Sequence, residues 1–177
     1  MFWNVAGLRN KDKDFWEYLS EFELVGLMET WIEEKDWPEI KKKLNKGWRW
    51  EYIAATREKK RGRAREGMIM EIRKEIDNDE MARKKEGIIG MQLRIDGNIW
   101  NVLTVYNRKG DKALLEELDR WLKEKNEGNI IIGGDWNART GRKGGIEGLN
   151  EGRMRWSEDK EVNKAGKNML ELLERKG

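Results

Sequence analysis

Short apolar runs, each closed by glycine or a polar residue, alternate along this chain with stretches whose apolar residues fall three and four apart. The first pattern suits strands buried in a sheet, and the second suits helices with one apolar face. Residues 1–6 form such a run, stopped by Gly7, and Phe15, Leu19 and Phe22 then mark a helical face that Asp12 or Asp14 can cap. Residues 24–28 read as a buried strand delivering Glu29 at its end. Residues 37–44 are predicted helical, with Pro38 in the first turn and lysines towards water. Strand-like segments follow at 48–55, 67–72, 88–95 and 99–106, and Asp96-Gly97-Asn98 is a hairpin turn between the last two. Leu114, Leu115, Leu118, Trp121 and Leu122 are spaced for a helix. Residues 129–132 form a short buried strand running into Gly133-Gly134-Asp135, and 162–173 a last helix. Strand–helix–strand, several strands, then helix–strand–helix argues for one α/β layered domain over residues 1–177.

Composition narrows the chemistry. There is no cysteine, so disulfides and thiolate metal sites are excluded, and no histidine, which removes the commonest neutral-pH acid/base and metal ligand. The hydrophobic fraction is only 37%, but ten tryptophans can each bury ~150–250 Å², enough for a core. Charged residues make up 40% with a net charge of +3, a mild hint of a polyanionic partner. No apolar run approaches the ~20 residues needed to cross a bilayer, and no signal peptide opens the chain, so an intracellular protein is expected.

Three strands end alike, with polar residues just past an apolar run: Asn4, Glu29, and Asp135 with Asn137. In layered α/β folds ligand sites collect at strand ends. Glu29 suits a hard cation such as Mg²⁺, which prefers oxygen ligands and keeps several waters. Asp135 can orient or deprotonate a water. Asn137 projects to the same side if the chain is still extended there, and its amide can donate to charge growing on a phosphate. Simpler readings stand beside these: Asn4 as a turn residue, Glu29 as a solvated strand end, and Gly133-Gly134-Asp135 as a tight turn with an Asx cap.

The words WNVAGLRNK at 3–11, MET-W at 28–31, VYNRKGD at 105–111 and GGDWNARTG at 133–141 resemble the endonuclease/exonuclease/phosphatase superfamily. Within it, they are most similar to the apurinic-endonuclease-like domain of non-long-terminal-repeat retrotransposons, carried beside a reverse transcriptase. The resemblance implies a four-layer α/β/β/α sandwich of the DNase I-like type. It also implies Mg²⁺- or Mn²⁺-dependent hydrolysis of a phosphodiester that nicks DNA, and hence a nuclear protein. By the same resemblance Asn4 helps build the metal and phosphate site, Glu29 binds the metal, Tyr106 contacts the phosphate, Asp135 activates water, and Asn137 stabilises the transition state.

Two departures are visible. Ala6 stands where many relatives have an acidic residue. The family's late Asn-containing strand and its terminal Asp-His pair have no counterpart, so the domain is expected to be incomplete at its C-terminus and inactive as this fragment. The alternatives are a nucleic-acid-binding module without catalysis and a phosphodiesterase completed by another chain. The run carrying Arg57, Lys59, Lys60, Arg61, Arg63 and Arg65 is the densest positive stretch. It is a track for DNA phosphates, a nuclear-import-like patch or a solvated loop between strands.

Overall fold

In a computed structural model, residues 1–57, 62–78, 82–108, 110–124, 127–144 and 156–175 are described. They divide into two compact units, Met1–Tyr106 with Lys125–Asp135, and Asn107–Glu124 with Trp136–Gly177.

The first unit is built on two sheets. Strand β1 (Phe2–Asn4) lies parallel to β2 (Leu24–Met28), which pairs antiparallel with β4 (Met68–Arg73), itself paired with β3 (Trp48–Ile53). The second sheet contains β5 (Asp77–Asn78), β6 (Arg83–Lys85), β7 (Ile88–Ile95), β8 (Asn98–Tyr106) and β9 (Asn129–Asp135). Its centre is the β7–β8 hairpin, turned at Asp96 and Gly97 with φ 49° and 76°, the pair of positive values that a two-residue hairpin turn requires. β8 and β9 run parallel; β9 ends its sheet and Ile130 and Ile131 are 46% and 41% exposed, so the burial expected for residues 129–132 is not met.

The first sheet buries both of its faces. Met68, Met70 and Ile72 alternate along β4 towards Ile89, Met91, Leu93 and Val102 of the other sheet, forming the core between the sheets. The opposite face of the first sheet carries Val25, Leu27 and Ile69 under helix α1 (Lys13–Leu19) and helix α2 (Trp37–Lys43). Asp12 caps α1, its Oδ1 accepting from Phe15 N at 3.0 Å, and Phe15 and Leu19 are the residues α1 buries. Pro38 sits in the first turn of α2, which buries Ile40.

In the second unit, α3 (Lys112–Glu124) buries Leu115, Leu118, Trp121 and Leu122, and α4 (Lys164–Glu174) buries Leu170 and Leu172. Asn163 caps α4, accepting from Gly166 N at 2.7 Å. Thus α/β layering, the main strands and all four helices follow the sequence pattern. The polar strands β5 and β6 and the 3₁₀ turn at Glu34–Asp36 carry no apolar periodicity and were not foreseen. No helix among the described residues is long and apolar enough to cross a membrane.

Candidate active site

Two glycines bring four strand ends together. A Cβ on Gly133 of β9 would lie 2.0 Å from the Phe2 ring, and one on Gly26 of β2 would lie 2.9 Å from the same ring and 2.3 Å from Thr104 Oγ1. The Phe2 ring therefore fills a slot that only glycine leaves open. Gly134 has φ 144°, and a Cβ there would meet the Val105 carbonyl oxygen at 1.9 Å. Gly133-Gly134 is thus not a turn: both residues pair within the sheet, opposite Thr104 and Val105. The packing sets β1 against β9 and leaves Asn4, Glu29, Tyr106 and Asp135 at the same end of the unit.

The contacts among these four are direct. Asn4 Nδ2 donates to Asp135 Oδ2 at 2.7 Å, and Asn4 Oδ1 accepts from Ala6 N at 3.2 Å. The Tyr106 hydroxyl donates to Glu29 Oε1, and Trp31 Nε1 donates to Glu29 Oε2 at 2.5 Å. Tyr106 and Asp135 are register partners across β8 and β9. Burial first, then the hydrogen bond to Glu29 and the nearby carboxylates, hold the Tyr106 phenol well above its ordinary pKa, so it stays protonated. Glu29 has φ 54° and Trp31 φ 57°, conformations that cost a non-glycine residue of order 1–3 kcal/mol unless surrounding bonds impose them. Here they do. Gly7 N bonds Glu29 O at 2.8 Å, Leu8 N bonds Thr30 O at 3.0 Å, Thr30 N bonds Gly67 O at 3.1 Å and Trp31 N bonds Glu66 O at 2.9 Å.

The donor set is all oxygen: two carboxylates, an amide and a phenol. No group of three or more acidic residues able to hold a metal occurs among the described residues. Such a sparse set fits Mg²⁺ or Mn²⁺, which keep waters and take one or two carboxylates, and it does not fit a fully protein-coordinated ion. Trp31 is the site residue that sequence reasoning missed as such. Its signal was a donor-only indole two residues past a strand-end carboxylate.

Asn137 belongs to the second unit. Its φ of 47° means the chain is no longer extended, so the condition for it to project with Asp135 is not met. Its carbonyl accepts from Asn163 Nδ2 at 3.4 Å. The rest of the GDWNARTG word anchors α4: Arg139 N bonds Asn163 Oδ1 at 3.1 Å, and the Arg139 side chain pairs with Asp159 at 2.8 Å and with Glu161.

The basic run is only partly described. Lys59, Lys60 and Arg61 lie outside the described residues. Arg57 is engaged in two hydrogen bonds to Glu33, at 3.0 and 2.6 Å, which hold that carboxyl down to about 2. Arg63 lies 4.2 Å from the Trp31 ring centroid, linking the run to Glu29 through the indole. Arg65 pairs its backbone with Thr56.

No curated protein matches the chain. The endonuclease domain of TRAS1, a telomere-specific non-LTR retrotransposon, superposes with TM-score 0.54 at 13% identity over 92% of this chain and 62% of its own. ANGEL2, a 2',3'-cyclic phosphatase, does so with TM-score 0.53 at 16% identity over 78% of this chain and 49% of its own. The human Nocturnin catalytic domain gives TM-score 0.50 at 13% identity over 77% and 62%. The chain thus spans between about half and two thirds of these structures, and the likeness is one of fold. The sequence pattern of the endonuclease/exonuclease/phosphatase family matches residues 1–160, and with the α/β fold and the paired strand-end residues, the chain belongs to that family.

Proposed function

We propose that this chain carries the metal- and water-holding face of a DNA-nicking phosphodiesterase site, of the kind borne by retrotransposon endonucleases. The observation that carries this reading is the convergence of Asn4, Glu29, Tyr106 and Asp135 at four strand ends, joined as Asn4–Asp135 and Tyr106–Glu29. Glu29, with Asn4 beside it, would hold Mg²⁺ or Mn²⁺. When bound, such an ion neutralises phosphate oxygens and favours attack on phosphorus. Tyr106 and Trp31 fix the Glu29 carboxylate from both oxygens and keep it facing the cation. Asp135, turned by the Asn4 amide, accepts the proton of the attacking water. DNA is the substrate, the nucleus the place of action, and a reverse transcriptase domain of the same parent element the companion.

One observation favours a second reading, nucleic-acid binding without turnover: none of the 177 residues is a histidine. Loss of one preorganised donor lowers rate by ~10²–10³-fold, so turnover by residues 1–177 alone is expected to be slow. Relaxation of supercoiled plasmid with Mn²⁺, beside quenching of Trp31 fluorescence by Mn²⁺, tests both. Quenching should be lost in Glu29→Gln, and whatever nicking occurs should be lost in Asp135→Ala. Quenching unchanged in Glu29→Gln removes Glu29 from the site. DNA binding with quenching but no nicking leaves the binding reading.

A further inference from the structure

A cavity lies away from the strand ends, between α1, the end of α2 and the outer face of β3 and β4. Its volume is about 290 Å³, and its walls include Trp16, Trp48 and Trp50, with Glu71 also lining it and Lys13 and Lys43 among its boundary residues. Glu71 faces Val25 and Trp50 in register. That is four residues before Glu29 along β2, or about 13 Å at the rise of a strand. Nothing in the proposed phosphodiesterase chemistry uses it.

Two polar atoms here are orphaned. Glu71 is only 2% exposed, yet its Oε1 has no hydrogen-bond partner among the described residues, and neither has the buried Trp16 Nε1. A buried carboxyl without a partner carries a desolvation penalty that a native core avoids unless the group has a use. The two atoms specify complementary needs. An indole N–H can only donate, so an occupant must present an acceptor to Trp16, while a carboxyl can meet a donor, an acceptor or both. Indole walls favour a flat occupant. The cavity is at the lower end of the ~300–1,000 Å³ range of ligand sites, so it suits one ring system and not a longer ligand. Two lysines against one boundary carboxylate, Glu17, leave a net positive charge there, which suits a group bearing negative charge outward. Lys13 pairs with Glu17 at 2.7 Å, and Lys43 reaches the Arg9 carbonyl at 3.3 Å.

From this combination we infer that the cavity formed by Trp16, Trp48, Trp50 and Glu71 is a binding site for a single unstacked nucleobase, whose phosphate faces Lys13 and Lys43. The reading does not depend on the proposed nuclease activity. Burial pushes the Glu71 carboxyl up to about 8, against the opposing pull of the Met1 amine and Arg73, so near pH 7 it is mostly protonated. A neutral carboxyl offers one donor and one acceptor side by side, the complement of the amino–imino edge of adenine or cytosine. A glutamine would offer the same pair.

The test is calorimetric titration at pH 7 of the full chain and of Glu71→Gln, Glu71→Met, Trp50→Ala and Asp135→Ala. The probes are adenosine monophosphate, single-stranded oligo(dA), the same oligonucleotide as a duplex, and tetramethylammonium. Adenosine monophosphate should bind the wild type, Asp135→Ala and Glu71→Gln alike. Glu71→Met and Trp50→Ala should each weaken it on the order of tenfold, the scale of one lost base–aromatic contact. Oligo(dA) binding that is lost in the same two variants and absent for the duplex makes a strand the source. Adenosine monophosphate alone, with oligo(dA) blind to the two variants, makes it a free nucleotide. Trp50 is half-buried, so Glu71→Met stands as the second probe should Trp50→Ala not fold. Three results overturn the inference: no binding of either adenine probe to the wild type, adenine binding that neither Glu71→Met nor Trp50→Ala weakens, or tetramethylammonium binding that Glu71→Gln abolishes.

Discussion

Gly133→Ala tests whether the packing between strands sets the geometry of the strand-end site. The added Cβ would stand 2.0, 2.2 and 2.4 Å from three atoms of the Phe2 ring. Contacts between carbons settle near 3.5–4.0 Å, so the ring must retreat by more than ~1 Å. It cannot do so freely, because the Gly26 side of the slot is also closed, with Thr104 behind it. Overpacking of this kind costs about 1–3 kcal/mol. Asn4 is two residues beyond Phe2 on the same three-residue strand and on the same face. A shift of ~1 Å there would lengthen the 2.7 Å Asn4–Asp135 bond beyond hydrogen-bonding range. Denaturant unfolding should place Gly133→Ala below wild type by that amount. Phe2→Leu in the same background should restore part of it, giving a coupling of ~1 kcal/mol or more between the two positions. Additive effects of Gly133→Ala and Phe2→Leu would refute the account, as would a Gly133→Ala variant as stable as wild type.

Three further outcomes are expected. Glu71 keeps its proton in the native state up to about 8 while the unfolded chain releases it above its ordinary 4.5. Stability should therefore fall as pH rises through that window and level off above it, by roughly 5 kcal/mol. The fall should be absent from the unfolding curve of Glu71→Gln, which should keep only the rise near pH 8 that the Met1 amine contributes through a pKa lowered by burial. Trp31→Phe removes the donor to Glu29 Oε2 while keeping an aromatic ring beside Gly7, and Mn²⁺ affinity followed by paramagnetic relaxation should drop ~10-fold. Leu118→Ala in α3, where the side chain is fully buried, should cost about 2–5 kcal/mol and lower the thermal midpoint seen by calorimetry.

The fold was legible where apolar period and burial coincide. β2 and β4 are buried almost throughout and β7 and β8 over most of their length, so their apolar runs mark them. α3 buries one face, and its leucine spacing shows it. β6 could not be read, because Arg83, Lys84 and Lys85 are all exposed and owe their extended form to pairing with β7. The outcome in β9 was masked for another reason. Gly133 and Gly134 look like a turn in sequence, and the nearness of Phe2, more than a hundred positions away, and of the Val105 carbonyl explains why glycines sit in a paired strand.

The candidate site separates in the same way. Asn4, Glu29 and Asp135 announced themselves as polar residues at strand ends, and Tyr106 through its word. What the sequence did not contain was the pairing. Tyr106 donates to Glu29 and Asn4 to Asp135, so each carboxylate is oriented by a neutral donor from another strand. This changes the part Tyr106 plays. A phenol that is 5% exposed and donates its hydrogen bond to Glu29 acts first by aiming that carboxylate. Tyr106→Phe should accordingly alter Mn²⁺ affinity along with any turnover, whereas a phenol acting only on the phosphate would change turnover and leave the affinity as it was.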